Sequence, residues 1–223
     1  MEMTAERWQS TIDYLNAVFG TPDPDLAAQP DAAASAGLPP IAVSSEVGRL
    51  LALLVAGTRG RRALEVGTLG GFSGTWIARA LAPRGHLTTI ERDPAHAAFA
   101  RDHFRRLGLA DRVTVREGIA ADVLAALRAE WAPGSVDVVF LDADKTSYPL
   151  YWTLTRELIA PGGLLIADNC LGSNAWWIDD VGHPDRDGAD ALNRAVAADD
   201  DFVSTLVPLR QGVLIARRRP DPE

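Results

Sequence analysis

The sequence contains a single cysteine, Cys170, among its 223 residues. No intrachain disulfide can form, so a reducing, cytoplasmic setting is the simple expectation. Long apolar runs are missing as well, because the longest, Leu50–Ala56, is far short of the roughly 20 residues that a transmembrane helix needs. The amino terminus lacks the basic segment and apolar block of a secretory signal. No membrane association is therefore expected.

Positive charge is in the minority, with 22 basic residues against 30 acidic ones and a net charge of −8. This balance favours solubility and disfavours a polyanionic partner such as DNA or RNA. Lys145 is the only lysine, and all other basic residues are arginines. Arginine stays protonated at working pH values, whereas a lysine amine can lose its proton in a suitable environment. The lone lysine is therefore a candidate for chemistry that arginine cannot perform.

Hydrophobic residues make up 47% of the chain, which is enough for a sizeable core. We expect one domain over residues 1–223, with helices in residues 1–58 and a sheet in residues 60–219. Apolar residues at spacings of three and four predict a first helix, which Gly20-Thr21-Pro22 would end. These residues are Trp8, Ile12, Leu15 and Phe19. Further helices are expected over Asp25–Ser35 and from a cap at Ser44 or Ser45 to about Gly57.

After Gly60 the pattern changes to short apolar strands that alternate with helices. The first five strands are predicted at Arg62–Val66, His86–Glu91, Val113–Glu117, Val136–Leu141 and Gly163–Ala167. Helices are predicted near Ser73–Leu81, Pro94–Leu107, Ala120–Glu130, Tyr148–Leu158 and Ala189–Ala198. Such alternation implies an α/β fold whose mainly parallel sheet is covered on both faces. The closing strands Phe202–Pro208 and Gly212–Arg217 have a connection of hairpin length, so they should be antiparallel.

Ligands of an open parallel sheet sit beyond the carboxyl ends of its strands. The first strand is followed by Gly67-Thr68-Leu69-Gly70-Gly71, where glycines let the backbone approach a ligand closely. The spacing is not the GxGxxG of dinucleotide enzymes. The second strand ends at Glu91, 20 residues past Gly71, where a carboxylate can accept hydrogen bonds from ribose hydroxyls. Together these features favour an adenosine-type ligand over an ordinary strand–helix turn.

The fourth and fifth strands end in polar side chains that should meet at one edge of the sheet. Asp142, Asp144 and Lys145 follow the fourth strand, and Asp168 and Asn169 follow the fifth. Asp142, Asp168 and Asn169 would offer oxygen ligands to a hard cation, with Mg²⁺ expected and Mn²⁺ or Ca²⁺ as alternatives. Asp144 either faces the same cleft or caps the next helix. Helix capping is the alternative for the whole set, but it leaves Lys145 without a role.

Lys145 lies three residues past Asp142, at the same predicted edge. A nearby divalent cation would favour the neutral amine, which could take a proton from a hydroxyl held by the metal. A surface lysine in a salt bridge is the alternative. Trp176 and Trp177 could stack on a flat substrate, although core packing or a subunit contact explains them equally well. Cys170 is expected to be a small buried residue rather than a nucleophile.

At these residues the sequence resembles the cation-dependent O-methyltransferases related to caffeoyl-CoA O-methyltransferase and catechol O-methyltransferase. The matching segments are ALEVGTLGGFSG, TTIERDP, REGIAADVL, VDVVFLDADKTSYPLYW, LIAPGGLLIADN and RQGVLIARR. The resemblance covers the chain from about Ile41 onward, and the pairing of DADK with DN is its most specific part. It implies a Rossmann-like, seven-stranded sheet with a C-terminal antiparallel hairpin, and S-adenosylmethionine as the methyl donor.

The resemblance also implies roles for individual residues. It places Glu91 on the ribose of S-adenosylmethionine, with Ile119 and Ala120 near the adenine. The other residues implied to line the cofactor pocket are Val43, Glu65, Gly67, Ser73 and Asp142. The implied metal ligands are Asp142, Asp168 and Asn169, and Lys145 is the implied catalytic base. Family members are usually homodimers whose N-terminal helices shape the substrate entrance, and the expected substrate is a small catechol-like or phenolic molecule, natural products included.

Two segments depart from the family pattern and leave the acceptor open: LGSNAWWIDDVGHPDRDG after Asn169 and the RQG turn of the last hairpin. A tRNA base methyltransferase of the same family is an alternative, which the net charge of −8 counts against. A nicotinamide-dependent oxidoreductase is a second, against which the missing GxGxxG argues. A non-catalytic cofactor-binding domain is a third, and the intact set of polar residues at the strand ends argues against it.

Overall fold

The computed structural model describes residues 4–20 and 23–220, so Thr21 and Pro22, expected to end the first helix, lie outside the described residues. The N-terminal helices are α1 (Ala5–Phe19), α2 (Pro24–Ser35) and α3 (Ser45–Thr58). Asp23 caps α2 by accepting the Asp25 and Leu26 N–H groups. Ser44 caps α3, because its hydroxyl accepts the Val47 N–H at 3.4 Å, which decides between the two expected caps.

Seven strands form one sheet in the order β3-β2-β1-β4-β5-β7-β6. The strands are β1 (Arg62–Val66), β2 (His86–Glu91), β3 (Val113–Glu117), β4 (Val136–Leu141), β5 (Ile159–Ala167), β6 (Phe202–Val207) and β7 (Val213–Arg218). The first five are mutually parallel, while β7 runs antiparallel to both β5 and β6. The expected α/β fold with a closing antiparallel hairpin is confirmed.

Helices cover both faces of this sheet. The helices that follow α3 are α4 (Phe72–Ala80), α5 (Pro94–Arg106), α6 (Ala120–Glu130), α7 (Tyr148–Thr155) and α8 (Pro184–Ala197). Successive strand residues point to opposite faces, so Val138 and Phe140 pack in a core with α3, α4 and α5. Val139 and Leu141 pack in a second core with α6, α7 and α8. No helix within the described residues is long and apolar enough to cross a membrane.

Three element boundaries differ from the sequence prediction by three residues or more. Helix α8 begins at Pro184 instead of about Ala189, because His183 caps it and proline is tolerated in a first helical turn. Strand β5 begins at Ile159, which pairs with Val136 before the register shifts. The helix expected over Tyr148–Leu158 ends at Thr155 and is flanked by one-turn 3₁₀ helices, Lys145–Ser147 and Arg156–Leu158.

Candidate active site

The carboxyl ends of four strands lie side by side, because β2, β1, β4 and β5 are neighbours in the sheet. Val66 at the end of β1 pairs with Ile90 of β2 and with Leu141 of β4. The predicted site residues at these ends are Gly67, Glu91, Asp142 and Asp168. The topology therefore brings them to one edge of the sheet, where a ligand of this architecture is expected.

The loop after β1 is shaped for close backbone approach. Gly67 has a φ of 100°, and a Cβ at this position would lie 2.1 Å from the Asp142 carbonyl oxygen. A side chain there would separate the ends of β1 and β4, so glycine is required. Gly71, with a φ of 84°, starts α4. Between them the Leu69 N–H donates to Glu91 Oε2 at 2.8 Å, which connects the loop to the end of β2.

A buried polar network lies beneath this loop. The Ser73 hydroxyl donates to Glu65 Oε1 at 2.6 Å, and the hydroxyls of Thr68 and Thr89 are 2.6 Å apart. Burial raises the pKa of Glu65 to about 7, although hydrogen bonds from Ser73 and Thr89 act in the opposite direction. Glu65 Oε2 has no hydrogen-bond partner among the described residues. Glu65 therefore supports the loop from below as a group poised between its neutral and charged forms.

Glu91 is buried at the end of β2, and its carboxylate accepts two backbone N–H groups. Leu69 donates to one oxygen, and Asp93 donates to the other at 2.9 Å. The Gly118 N–H donates to the Glu91 carbonyl at 2.8 Å, which places the turn before α6 beside this end. Ile119, in that turn, is 64% exposed. An exposed apolar side chain thus follows the turn that is bonded to the end of β2, a position that suits contact with a flat ring.

Lys145 is held at the end of β4 and is only 9% exposed. Its ammonium donates to Asp142 Oδ1 at 2.8 Å and lies 5.0 Å from the centre of the Tyr148 ring. The Tyr148 hydroxyl is within hydrogen-bond distance of the carbonyls of Leu141, at 3.0 Å, and Asp168, at 2.8 Å. The ends of β4 and β5 are thereby tied together, and Lys145 is buried beside Asp142 rather than on a free surface.

Asp144 does not point its carboxylate into a helix cap. Its Oδ1 accepts a hydrogen bond from the Tyr151 hydroxyl at 2.6 Å, and its side chain makes no capping bond to the following turn. Of the two roles that the sequence left open, capping is therefore not observed.

Asp168 and Asn169 complete this edge. Burial raises the pKa of Asp168 to about 7, and the nearby Asp142 charge acts in the same direction. The Asn169 N–H donates to Asp168 Oδ1 at 2.8 Å, and Asn169 adopts a φ of 55°, a conformation that asparagine tolerates better than most residues. The described residues contain no group of three His, Cys, Asp or Glu placed to bind a metal. The candidate oxygen donors are two carboxylates and one amide.

This donor set suits a hard divalent cation in its chemistry. Carboxylate and amide oxygens are the ligands that Mg²⁺ and Ca²⁺ take. Burial raises the pKa of Asp168 even though the Lys145 charge and the Asn169 N–H act in the opposite direction, so a further positive charge beside it would favour the carboxylate. A cation at this edge would supply that charge.

The remaining residues singled out in the sequence occupy varied positions. Val43 is buried just before α3. Trp176 is buried and stacks on the His183 ring with an interplanar angle of 24°, whereas Trp177 is 45% exposed. Cys170 is buried, and burial raises the pKa of its thiol to about 12. Cys170 is therefore poorly suited to act as a nucleophile.

Other residues that position the site were not identified from the sequence. The Gln29 side-chain amide donates to the Gly70 carbonyl at 2.7 Å, so α2 is fastened to the glycine loop. Thr89 anchors Thr68 of the same loop. Gly188 of α8 packs against the Lys145 backbone. Each contact joins residues far apart in the chain. The only sign of such a contact in the sequence is a polar or small residue within an otherwise apolar segment.

A concavity of about 430 Å³ lies at the opposite edge of the sheet, at the amino ends of β4 and β5. It is lined by residues such as Leu53, Asp137, Gly163 and Arg217. None of the predicted site residues borders it, so it is separate from the candidate active site.

Comparison with known proteins points to one family. The sequence profile of a family described as O-methyltransferase matches residues 26–219. A catechol O-methyltransferase of Niastella koreensis is 36% identical over 207 residues, which is 93% of each chain. A catechol O-methyltransferase of Mycobacterium tuberculosis is 42% identical over 158 residues, covering 71% of this chain and 70% of the relative.

Solved structures show the same fold. An O-methyltransferase from Bacillus cereus in complex with SAH has a TM-score of 0.89 and 32% identity, covering 97% of this chain and 100% of the other. TomG from Streptomyces achromogenes, an O-methyltransferase involved in tomaymycin synthesis and solved with SAM, has a TM-score of 0.86 and 33% identity, covering 98% and 100%. The chain therefore belongs to the O-methyltransferase family, which confirms the resemblance seen in the sequence and the expectation of an enzyme that methylates oxygen.

Proposed function

We propose that this protein uses S-adenosylmethionine and a divalent cation to methylate one hydroxyl of a small catechol-like or phenolic molecule. One observation carries the proposal: the lone lysine is buried beside Asp142, at the same sheet edge as Asp168 and Asn169. A base next to three oxygen donors is the arrangement that metal-assisted deprotonation of a hydroxyl requires.

S-adenosylmethionine would occupy the ends of β1 and β2. The relatives from Bacillus cereus and Streptomyces achromogenes, solved with SAH and SAM, support this part of the proposal. Glu91 would accept hydrogen bonds from the ribose hydroxyls, and Ile119 and Ala120 would border the adenine. The other residues proposed to line the pocket are Val43, Glu65, Gly67, Ser73 and Asp142. When bound, S-adenosylmethionine supplies the methyl group and leaves as S-adenosylhomocysteine.

The cation would be held by Asp142, Asp168 and Asn169, and Mg²⁺ is the ion that these oxygen donors favour. Bound there, it would orient the substrate hydroxyl and make its proton easier to remove. A positive partner would be favourable for Asp168, because burial raises its pKa and a nearby positive charge favours the ionised form.

Lys145 would accept the proton of the substrate hydroxyl at Nζ. The hydroxyl oxygen then forms a bond to the methyl carbon as the bond from that carbon to sulfur breaks, and Lys145 later returns the proton to solvent. The Lys145 ammonium is hydrogen-bonded to Asp142. A cation bound to the same carboxylate would place a second positive charge near the amine and favour its neutral form. Tyr148 holds the amine at this edge through its ring contact, so that base and substrate are prealigned.

The substrate class is taken from the chemistry of the site and from the named relatives. Two of them are catechol O-methyltransferases, and two vicinal hydroxyls suit a cation that binds oxygen. Trp177 is partly exposed in the segment that follows β5, where an aromatic ring could stack on a flat substrate.

Methyl transfer from labelled S-adenosylmethionine to a panel of catechols, with Mg²⁺ and then with excess EDTA, tests the cation. Transfer should require Mg²⁺ and return when the ion is restored. Transfer that persists in EDTA would contradict the assignment of Asp142, Asp168 and Asn169 as metal ligands.

Replacing Lys145 tests the base. Lys145→Ala should abolish turnover while S-adenosylhomocysteine still binds with its original affinity in calorimetry. Lys145→Arg is the matched control, because it keeps the charge beside Asp142 but cannot lose its proton at working pH. Both variants should be inactive, and near-normal turnover by either would show that Lys145 is not the base.

The proposal extends to assembly and location. A homodimer is supported by α1, which exposes Trp8, Tyr14, Val18 and Phe19, an apolar group of the kind that subunit contacts cover. A cytoplasmic location is supported by the single cysteine, which has no disulfide role. Sedimentation equilibrium would test the dimer directly, since a monomer at micromolar concentration would contradict it.

A further inference from the structure

Helix α8 crosses behind the proposed base at its one glycine, Gly188. This residue is buried, and a Cβ built on it would lie 2.2 Å from the Lys145 carbonyl oxygen and 2.8 Å from Thr146 Cα. Both atoms belong to the backbone and cannot rotate away as a flexible side chain can. Ordinary contact begins at 3.4 Å, so α8 and the Lys145 turn would have to separate by about 1 Å to accept any side chain.

Helical glycines in this chain do not all have such a neighbour. Gly57 also lies within a helix, α3, and a Cβ there would meet nothing within 4 Å. Glycine weakens a helix relative to alanine, so a glycine within a helix calls for a structural reason. At Gly188 that reason is the close approach of α8 to the Lys145 turn, whereas Gly57 has no such neighbour.

The same helix contacts the end of β5. Asn193, little more than one turn beyond Gly188, donates from its side-chain amide to the Cys170 carbonyl at 2.9 Å. Cys170 directly follows Asn169 in the chain. Helix α8 therefore contacts the backbone next to both halves of the candidate site, at Gly188 for Lys145 and at Asn193 for the Asp168-Asn169 segment.

We propose that Gly188 is a positioning residue, whose missing side chain lets α8 hold the Lys145 turn so that the amine stays at Asp142 and faces the substrate. The inference rests on the proposed role of Lys145 as the base. Gly188 touches no reacting atom, and its effect is transmitted through the Lys145 backbone. The Gly188→Ala variant should move the turn outward and take the amine with it.

The experiment uses the lone lysine as a probe. Protein labelled with ¹³C at lysine Cε shows one lysine signal, which needs no assignment and is sensitive to the Tyr148 ring 5.0 Å from Nζ. Gly188→Ala should shift this signal, whereas Gly57→Ala, the matched control, should leave it in place. The kcat for a catechol should fall by about a hundredfold in Gly188→Ala, since a misplacement of about 1 Å has effects of that order. The KM for S-adenosylmethionine should stay unchanged in both variants.

The outcomes separate this inference from the proposed function. An unshifted lysine signal in Gly188→Ala overturns the inference, whatever happens to turnover. A shifted signal with unchanged kcat supports the positioning role but contradicts Lys145 as the base. If Gly188→Ala does not fold, it is measured in the Gly57→Ala background, where alanine strengthens α3. Failure of the double variant to fold would assign Gly188 to the stability of the whole fold and overturn the inference.

Discussion

Replacing Glu65 by glutamine should change how the stability of this protein depends on pH. Glu65 is fully buried beneath the glycine loop. A Cβ built on Gly74 would lie 2.9 Å from Glu65 Oε2 and within 3.3 Å of the Phe104 and Leu87 side chains, so the carboxyl group has apolar neighbours. In such surroundings a neutral acid is favoured over a carboxylate. Glutamine keeps the shape and the acceptor for Ser73 but cannot ionise.

The size of the effect follows from the pKa. In the folded protein, burial raises the pKa of Glu65 from 4.5 to about 7. Between these values the unfolded chain releases the proton and the folded protein keeps it, so the free energy of unfolding falls as the pH rises. At roughly 1.4 kcal/mol per pKa unit, the loss amounts to about 3 kcal/mol. It should be absent below about pH 4.5 and complete above about pH 7.

The assay is urea unfolding of the wild type and Glu65→Gln between pH 4 and 8.5, with EDTA present and no methyl donor. An amide nitrogen at the Oε2 position, left without a partner, would cost about 1–3 kcal/mol. That cost is the same at every pH, so it shifts the difference curve without changing its slope. The variant should gain about 3 kcal/mol relative to the wild type between pH 4.5 and 7.

A second variant tests the physical cause. The hydrogen bond from Ser73 lowers the pKa of Glu65 against the effect of burial. In Ser73→Ala the pKa should rise further, and the loss of stability should extend to higher pH than in the wild type. A flat difference curve between the wild type and Glu65→Gln would refute the reasoning, since it would mean that Glu65 ionises alike in both states.

Two further perturbations test the edge of the sheet. Gly67→Ala should destabilise the fold by about 1–3 kcal/mol more than Gly37→Ala in urea unfolding, because both positions have positive φ but only at Gly67 does a Cβ overlap a backbone atom, the Asp142 carbonyl. Asp168→Asn should raise the melting temperature at pH 8 in EDTA and abolish Mg²⁺-dependent turnover, since burial raises the pKa of Asp168 and its ionised form destabilises the folded state above that pKa. A lower melting temperature at pH 8 would contradict this account.

The parallel part of the fold was predictable because its signals are local. Apolar runs such as Val136–Leu141 alternate with helical segments, and the chirality of parallel connections leaves few arrangements. The position of β7 between β5 and β6 was not predicted, since a closing hairpin can attach to the sheet through either of its strands. The start of β5 was also missed, because Ile159 pairs with Val136 before a register shift that no periodicity reveals.

Candidate site residues were predictable for a topological reason. Parallel strands present their carboxyl ends at one edge, so residues such as Glu91, Asp142 and Asp168 can be grouped from the sequence alone. Their supports could not be found this way. Gln29 contacts Gly70 across 41 residues of sequence. Gly188 contacts the Lys145 turn because α8 packs directly against the 3₁₀ helix Lys145–Ser147. Such contacts depend on tertiary packing, which local sequence patterns do not predict.

The buried carboxyl groups give the edge a common physical character. Glu65 and Asp168 both have pKa values raised by burial to about 7. Without a ligand, each group therefore lowers the free energy of unfolding as the pH rises from acidic values to neutrality. Ligands that carry positive charge relieve this cost, because a charge partner makes the ionised form favourable. S-adenosylmethionine carries a sulfonium and the proposed cation is divalent, so binding of either should stabilise the protein more at pH 8 than at pH 5. In the proposed function, relief of this cost would contribute to the binding of a cation.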